Sequence, residues 1–150
     1  MNRKTKKKTD PCENVLFLAW AAAVISMFGS LYFSEIREFE PCTLCWYQRI
    51  LMYPFVIILG LAVIRKDYRI TFYTMIIAAI GACTSLYHYS LQKLSFVANS
   101  APSCGRVPCT GEYINWFGFI TIPFLALIGF IIIFLCSVIV WKKTKENYKE

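Results

Sequence analysis

Glu40-Pro41-Cys42-Thr43-Leu44-Cys45-Trp46-Tyr47-Gln48-Arg49 leads straight into an apolar run, from about Trp46 to Ile64, long enough to cross a membrane. A helical span needs about 20 predominantly apolar residues. Three more runs have this character: about Val15 to Phe33, about Ile70 to Leu91 and about Trp116 to Val140. Backbone groups in lipid must be satisfied within their own segment, so these runs read as helices. None shows the alternation of a membrane barrel strand. The expected fold is an all-α integral membrane protein, a single domain over residues 1–150 built as a four-transmembrane-helix bundle.

Composition agrees. Of the 150 residues, 57% are hydrophobic and only 17% charged, against about 25% charged in an average soluble domain. The charges sit in blocks. Arg3, Lys4, Lys6, Lys7 and Lys8 precede the first span, Arg65, Lys66 and Arg69 fill the link between the second and third, and Lys142, Lys143, Lys145 and Lys149 follow the fourth. The other two loops hold only Arg37, Lys93 and Arg106. Cytoplasmic flanks accumulate Lys and Arg, which places both termini and the 65–69 link in the cytoplasm and leaves two extracytoplasmic loops. Topology and anionic lipid account for these blocks, so no nucleic acid is expected as a partner. The first span is longer than a signal-peptide core, and Gly29-Ser30-Leu31-Tyr32-Phe33-Ser34 lacks a small-x-small cleavage site, so it reads as an uncleaved anchor.

The chain has seven cysteines. In this orientation Cys42, Cys45, Cys104 and Cys109 lie in the exported loops, where disulfides persist. Cys12, Cys83 and Cys136 are cytoplasmic or within spans and read as small hydrophobes. Pro41 disfavours helix at Glu40 and sets Cys42 and Cys45 near a helix N-terminus. Unpaired N–H groups there favour a thiolate, and two-residue spacing suits reversible disulfide closure. Arg49 follows Cys45 by four residues and Cys42 by seven, so the three share a helical face. A charge just inside a span is costly and usually has a partner. The candidates are a thiolate and the carbonyl oxygens of a membrane quinone; the competing explanation is snorkelling to headgroups.

Residues 92–115 form the longest stretch outside the spans. Leu91, Leu94, Val97 and Ala98 recur at helical spacing, as in a short surface helix. Ser100 to Gly111 carries two prolines and two glycines and reads as a loop with turns. Four exported cysteines permit three pairings, of which the local ones are favoured by proximity. A structural staple would explain Cys104 and Cys109 about as well as exchange chemistry does. A zinc site joining both pairs is a further alternative, but the gap between Cys104 and Cys109 is wide for a zinc knuckle, and no metal is assigned. His88, the sole histidine, lies near the outer end of the third span. It could donate a proton or hydrogen bond to a reduced quinone, or serve a neighbouring residue. Trp46, Trp116 and Tyr113 suit an outer aromatic belt and Trp141 an inner one.

Cys42-x-x-Cys45-x-Tyr47-x-Arg49, with His88 followed by Leu91-Gln92 and a second cysteine pair in the second outer loop, resembles the DsbB disulfide-bond formation proteins, particularly their short BdbC-type members from Gram-positive bacteria. The resemblance covers nearly the whole chain. It implies a cell-membrane thiol:quinone oxidoreductase that reoxidises an extracytoplasmic, thioredoxin-fold thiol oxidase of DsbA type. By position, it makes Cys104 the residue that forms the mixed disulfide with that partner and Cys109 its companion. The Cys42–Cys45 disulfide would receive the electrons, Cys45 would meet the quinone, Arg49 would position and polarise it, and His88 would assist. A Gram-positive-like source favours menaquinone over ubiquinone. One departure is the spacing of Cys104 and Cys109, five positions apart where the Gram-negative members separate theirs widely. Two other readings compete: a vitamin K epoxide reductase-like enzyme, whose active CxxC lies near its last helix, and a tetraspan scaffold with structural disulfides.

Overall fold

The computed structural model describes residues 10–94, 96, 99, 107–111, 114–115 and 117–147. Its long elements are α1 (Pro11–Leu31), α2 (Thr43–Arg65), α3 (Thr71–Lys93) and α4 (Ile122–Asn147). All four are long and apolar enough to cross a membrane.

Local chemistry sets the ends. Pro11 opens α1, where its missing N–H costs nothing. After Leu31 the helix widens into a π turn, Tyr32–Ile36. Lys66 ends α2 in the left-handed conformation, φ 55° and ψ 35°, and Asp67 N–H returns to Ala62 O at 3.1 Å. Asp67 then accepts from Arg69 N–H at 3.1 Å and starts a 3₁₀ turn, Tyr68–Ile70, that feeds α3. Lys66 Nζ reaches Glu13 at 2.8 Å and ties this link to the start of α1.

Two boundaries differ from the sequence expectation. The fourth helix starts at Ile122 rather than near Trp116, because Phe117 and Gly118 take positive φ (55° and 82°) and the chain turns there. Leu91 belongs to α3 and is buried, while Leu94 is already extended (φ −110°, ψ 103°). The surface helix expected over Leu91–Ala98 therefore does not begin at Leu91; Val97 and Ala98 lie outside the described residues.

Lipid tails are as apolar as leucine, so helices in a bilayer adhere through close fit and shared hydrogen bonds. α3 packs on α4, and α1 packs on both α2 and α4. Ala19, Ala23, Ala62 and Ala78 are buried at these contacts. Gly81 faces the Phe130 ring so closely that an added Cβ would overlap it, and Phe130 meets Phe55 edge-on at 6.5 Å. Thr74 and Ser137 share a hydrogen bond of 3.0 Å between α3 and α4, and Trp20 donates to Val56 O at 3.0 Å between α1 and α2. Ile25, Ile57, Ile64 and Ile80 point outward, as a lipid-facing surface requires. By contrast, α2 and α4 meet only sparsely, and that gap shapes the site.

Candidate redox site

Cys42 is the N-cap of α2 and Cys45 lies in its first turn, with Trp46 N–H bonded to Cys42 O at 3.1 Å. The helical turn brings the two sulfurs to 3.2 Å, Cys42 Sγ–H donating to Cys45 Sγ. A disulfide bond between them would bring the sulfurs to roughly 2.05 Å. Donation to Cys45, with burial adding to it, pushes the Cys42 thiol up to about 12, while its contact with His88 pulls the other way. In the dithiol state, the proton stays on Cys42.

One turn deeper, the Arg49 guanidinium crosses to the end of α1. It donates to Ser34 Oγ at 3.4 Å and to Ser30 O at 3.3 Å, and lies 5.6 Å from the Trp46 ring centroid. The π turn supplies Ser34, and the last turn of α1 leaves a carbonyl for the guanidinium to cap. Among the described residues no carboxylate pairs with Arg49, so its charge is held by neutral acceptors only.

On the other side of α2, His88 of α3 is 1% exposed. Its Nε2 lies 3.5 Å from Cys42 Sγ, and its Nδ1 lies 3.2 Å from the side-chain amide of buried Gln48. Cys42, Cys45 and His88 place their sulfur and nitrogen atoms within 4.8 Å of one another. Cys109 is not in that group, and Cys104, the fourth member of the zinc alternative, lies outside the described residues.

A cavity of about 450 Å³ opens between α1, α2 and α4. Cys45, Gln48, Arg49 and Tyr53 line it from α2, Gly29, Ser30 and Phe33 from the end of α1, and Leu125, Ile128 and Gly129 from α4. Phe39, Glu40 and Pro41 cover one end, the loop being folded back by Phe39 N–H on Phe33 O (3.1 Å) and stacking of the two rings at 6.4 Å. Leu18, Ile25 and Ile128 line the cavity and also reach the outer surface, so it borders lipid. Its size falls in the usual ligand range of about 300–1,000 Å³. His88 does not line it. That residue borders a smaller space of about 20 Å³ with Cys42, Cys45 and Gln92.

Of the second cysteine pair, Cys109 is 3% exposed and shares a buried cluster with Cys42 and Leu91. Gln92 Nε2 donates to Gly111 O at 2.9 Å, and Gly111 N–H to Pro108 O at 3.2 Å, pinning the loop around Cys109 to the end of α3. Cys104 lies outside the described residues.

A two-sulfur centre at a helix N-terminus, between a lipid-bordering cavity and a buried loop cysteine, invites comparison with known families. The family described as "Disulfide bond formation protein DsbB" matches residues 13–140. The chain belongs to the DsbB family. It is 67% identical over 130 residues to "Probable disulfide formation protein C 1" of Bacillus cereus, covering 87% of this chain and 94% of that protein. It is 58% identical over 123 residues to "Disulfide bond formation protein C" of Bacillus subtilis, covering 81% and 89% respectively. No solved structure matches it.

Within this DsbB-family site, sequence spacing brought Cys42, Cys45 and Arg49 together, and the fold adds His88 and Cys109. It separates two functions that the sequence had merged: Arg49 borders the large cavity, whereas His88 serves Cys42. Sequence reasoning missed Gln48, Tyr53, Ser30 and Ser34. The one signal for Gln48 was an amide in an otherwise apolar turn, next to Arg49.

Proposed function

We propose that this DsbB-family protein is a membrane disulfide oxidoreductase that reoxidises an extracytoplasmic thioredoxin-fold thiol oxidase and passes the electrons to a membrane quinone, menaquinone before ubiquinone. The carrying observation is that Cys45 lines the large cavity beside Arg49, which no carboxylate among the described residues neutralises, while its partner Cys42 is buried with Cys109 outside that cavity. Sulfur thus bridges a protein-facing loop and a lipid-facing pocket.

The residues fit a quinone. The walls are mostly apolar, the volume would suit a ring with the start of its tail, and Arg49 and Tyr53 would supply hydrogen-bond donors to carbonyl oxygens there. A bound quinone supplies an acceptor for two electrons and two protons. The protein's own groups do the rest. A thiolate at Cys109 bonds to Cys42 Sγ, the Cys42–Cys45 bond breaks, and Cys45 leaves as thiolate with the electron pair. The first-turn amides of α2 and the Arg49 guanidinium stabilise that charge at the cavity wall. Arg49 also favours negative charge developing within the cavity, where low dielectric strengthens its field. Cys104 is the residue proposed to take the partner's mixed disulfide. When the partner's second thiol displaces it, the Cys104 thiolate bonds to Cys109 Sγ, the Cys109–Cys42 bond breaks, and Cys42 leaves as a thiolate that takes up a proton.

Orientation follows the charges. Four spans put the start of α1, the 65–69 link and the end of α4 on one side, and the Lys66–Glu13 pair joins two of these directly. Lys142, Lys143 and Lys145 add to that side, which we read as cytoplasmic. The cysteine end then faces outward.

Purified protein in lipid nanodiscs, given a reduced thioredoxin-fold oxidase and a menaquinone analogue, should oxidise the thiols with matching quinol formation. Cys45→Ser should abolish quinol formation. Quinol formation at the native rate in Cys45→Ser would overturn the reading in favour of a stapled scaffold.

A further inference from the structure

Resting on the function proposed above, we infer that His88 is the acid–base residue of Cys42 rather than of the quinone, and that Gln48 is the positioning residue that holds its imidazole for this task.

Three observations carry it. His88 Nε2 faces Cys42 Sγ at 3.5 Å, and His88 does not line the large cavity. The opposite ring nitrogen, Nδ1, lies 3.2 Å from Gln48 Nε2, the amide NH₂. All three residues are buried: 5%, 1% and 5% exposed for Cys42, His88 and Gln48. A buried imidazole has its tautomer fixed by whatever its second nitrogen meets. An amide offers both faces. With its carbonyl toward Nδ1–H, Nε2 presents a lone pair to the Cys42 thiol. With its NH₂ toward Nδ1, Nε2–H donates to a Cys42 thiolate. One side-chain flip therefore supports both protonation states of Cys42.

The step is closure of the Cys42–Cys45 disulfide. While Cys45 holds negative charge, Cys42 keeps its proton by donating to it. As that charge is drawn from Cys45, the proton passes from Cys42 Sγ to His88 Nε2 and the Cys42 thiolate bonds to Cys45 Sγ. Two electrons leave the sulfur pair for the quinone, and the protons lost by the two thiols balance the two it takes up. Among the described residues, the titratable groups around His88 are Cys42 and Cys45 from α2, with Cys109 of the second loop beside Cys42. Gln92, on α3 itself, and Ile122 and Pro123 of α4 close the remaining sides without charge.

The test removes the quinone reaction from the readout. In Cys45→Ser protein, peptide-resolved mass spectrometry follows iodoacetamide labelling of Cys42 against pH. His88→Ala and Gln48→Leu should each move the midpoint upward by about one unit, labelling Cys42 about tenfold more slowly at pH 7. Combining them should add little, because they act through one contact. Gln48→Glu, which keeps an acceptor for Nδ1–H, should restore the rate. Cys12 and Cys136, buried in the bundle core, should stay protected in every variant and report a folded protein. An unmoved Cys42 profile in folded Gln48→Leu, or additive effects of the two substitutions, would overturn the inference. If these shifts appear but the native chain forms no quinol, the acid–base pair stands and the quinone reading falls.

Discussion

Arg49 illustrates how a single side chain acquires a task from its acceptors. A guanidinium paired to a carboxylate would present little net field; this one rests on a carbonyl, a hydroxyl and an indole face, and keeps its charge. Arg49→Ala should therefore raise the quinone concentration for half-maximal rate about tenfold or more, a loss of about 1.4 kcal/mol or more. The mixed disulfide proposed at Cys104 should still form, since Cys109 of the same loop does not line the cavity that Arg49 borders. Arg49→Lys should recover only part of the affinity, because an ammonium lacks the planar fork that spans two acceptors. Stopped-flow quinone titrations check both, and an unchanged titration in Arg49→Ala would remove it from the site. At this scale the sequence showed Cys42, Cys45 and Arg49 directly, because helical spacing alone puts them together. It did not show where His88 would turn, because that depends on how α3 is rotated against α2.

At the scale of elements, the π turn after α1 and the thin α2–α4 contact make the cavity, and tight α3–α4 packing keeps the remaining wall in place. Gly81 is the key to that packing, since a Cβ there would overlap the Phe130 ring. Gly81→Ala should destabilise the bundle by about 1–3 kcal/mol, as overpacking usually does. Phe130→Leu, costly alone, should relieve part of that penalty in the double variant. Denaturant unfolding in detergent measures both effects, and simple additivity would show that the two residues do not share the contact. Span existence was legible here from hydropathy. The start of α4 at Ile122 was not, because Trp116 to Ile120 is as apolar as the helix that follows, and only the left-handed backbone at Phe117 and Gly118 breaks the run.

At the scale of the whole molecule, the bundle has one basic end and one end bearing the reactive sulfurs. A reporter fused after residue 147 should remain cytoplasmic, and one inserted within 100–106 should be exported. Alkaline phosphatase fusions, active only outside, read both. Reversed activities would invert the topology and remove the second loop from reach of an extracytoplasmic partner. Leu18 and Ile25 of α1 and Ile128 of α4 line the cavity and reach the outer surface, so its wall borders the lipid-facing side of the bundle.

By itself the sequence determined the number of spans, the shared side of the two termini and the spacing that unites two cysteines with an arginine. Each of these is summed or repeated along the chain and survives any rotation of the helices. Only the tertiary structure decided that Arg49 and His88 have different neighbours, that Gln48 meets His88, and that a cavity opens between α1, α2 and α4. Those outcomes depend on which face each helix presents, and that is fixed by contacts between residues far apart in sequence, such as Gly81 with Phe130 and Thr74 with Ser137.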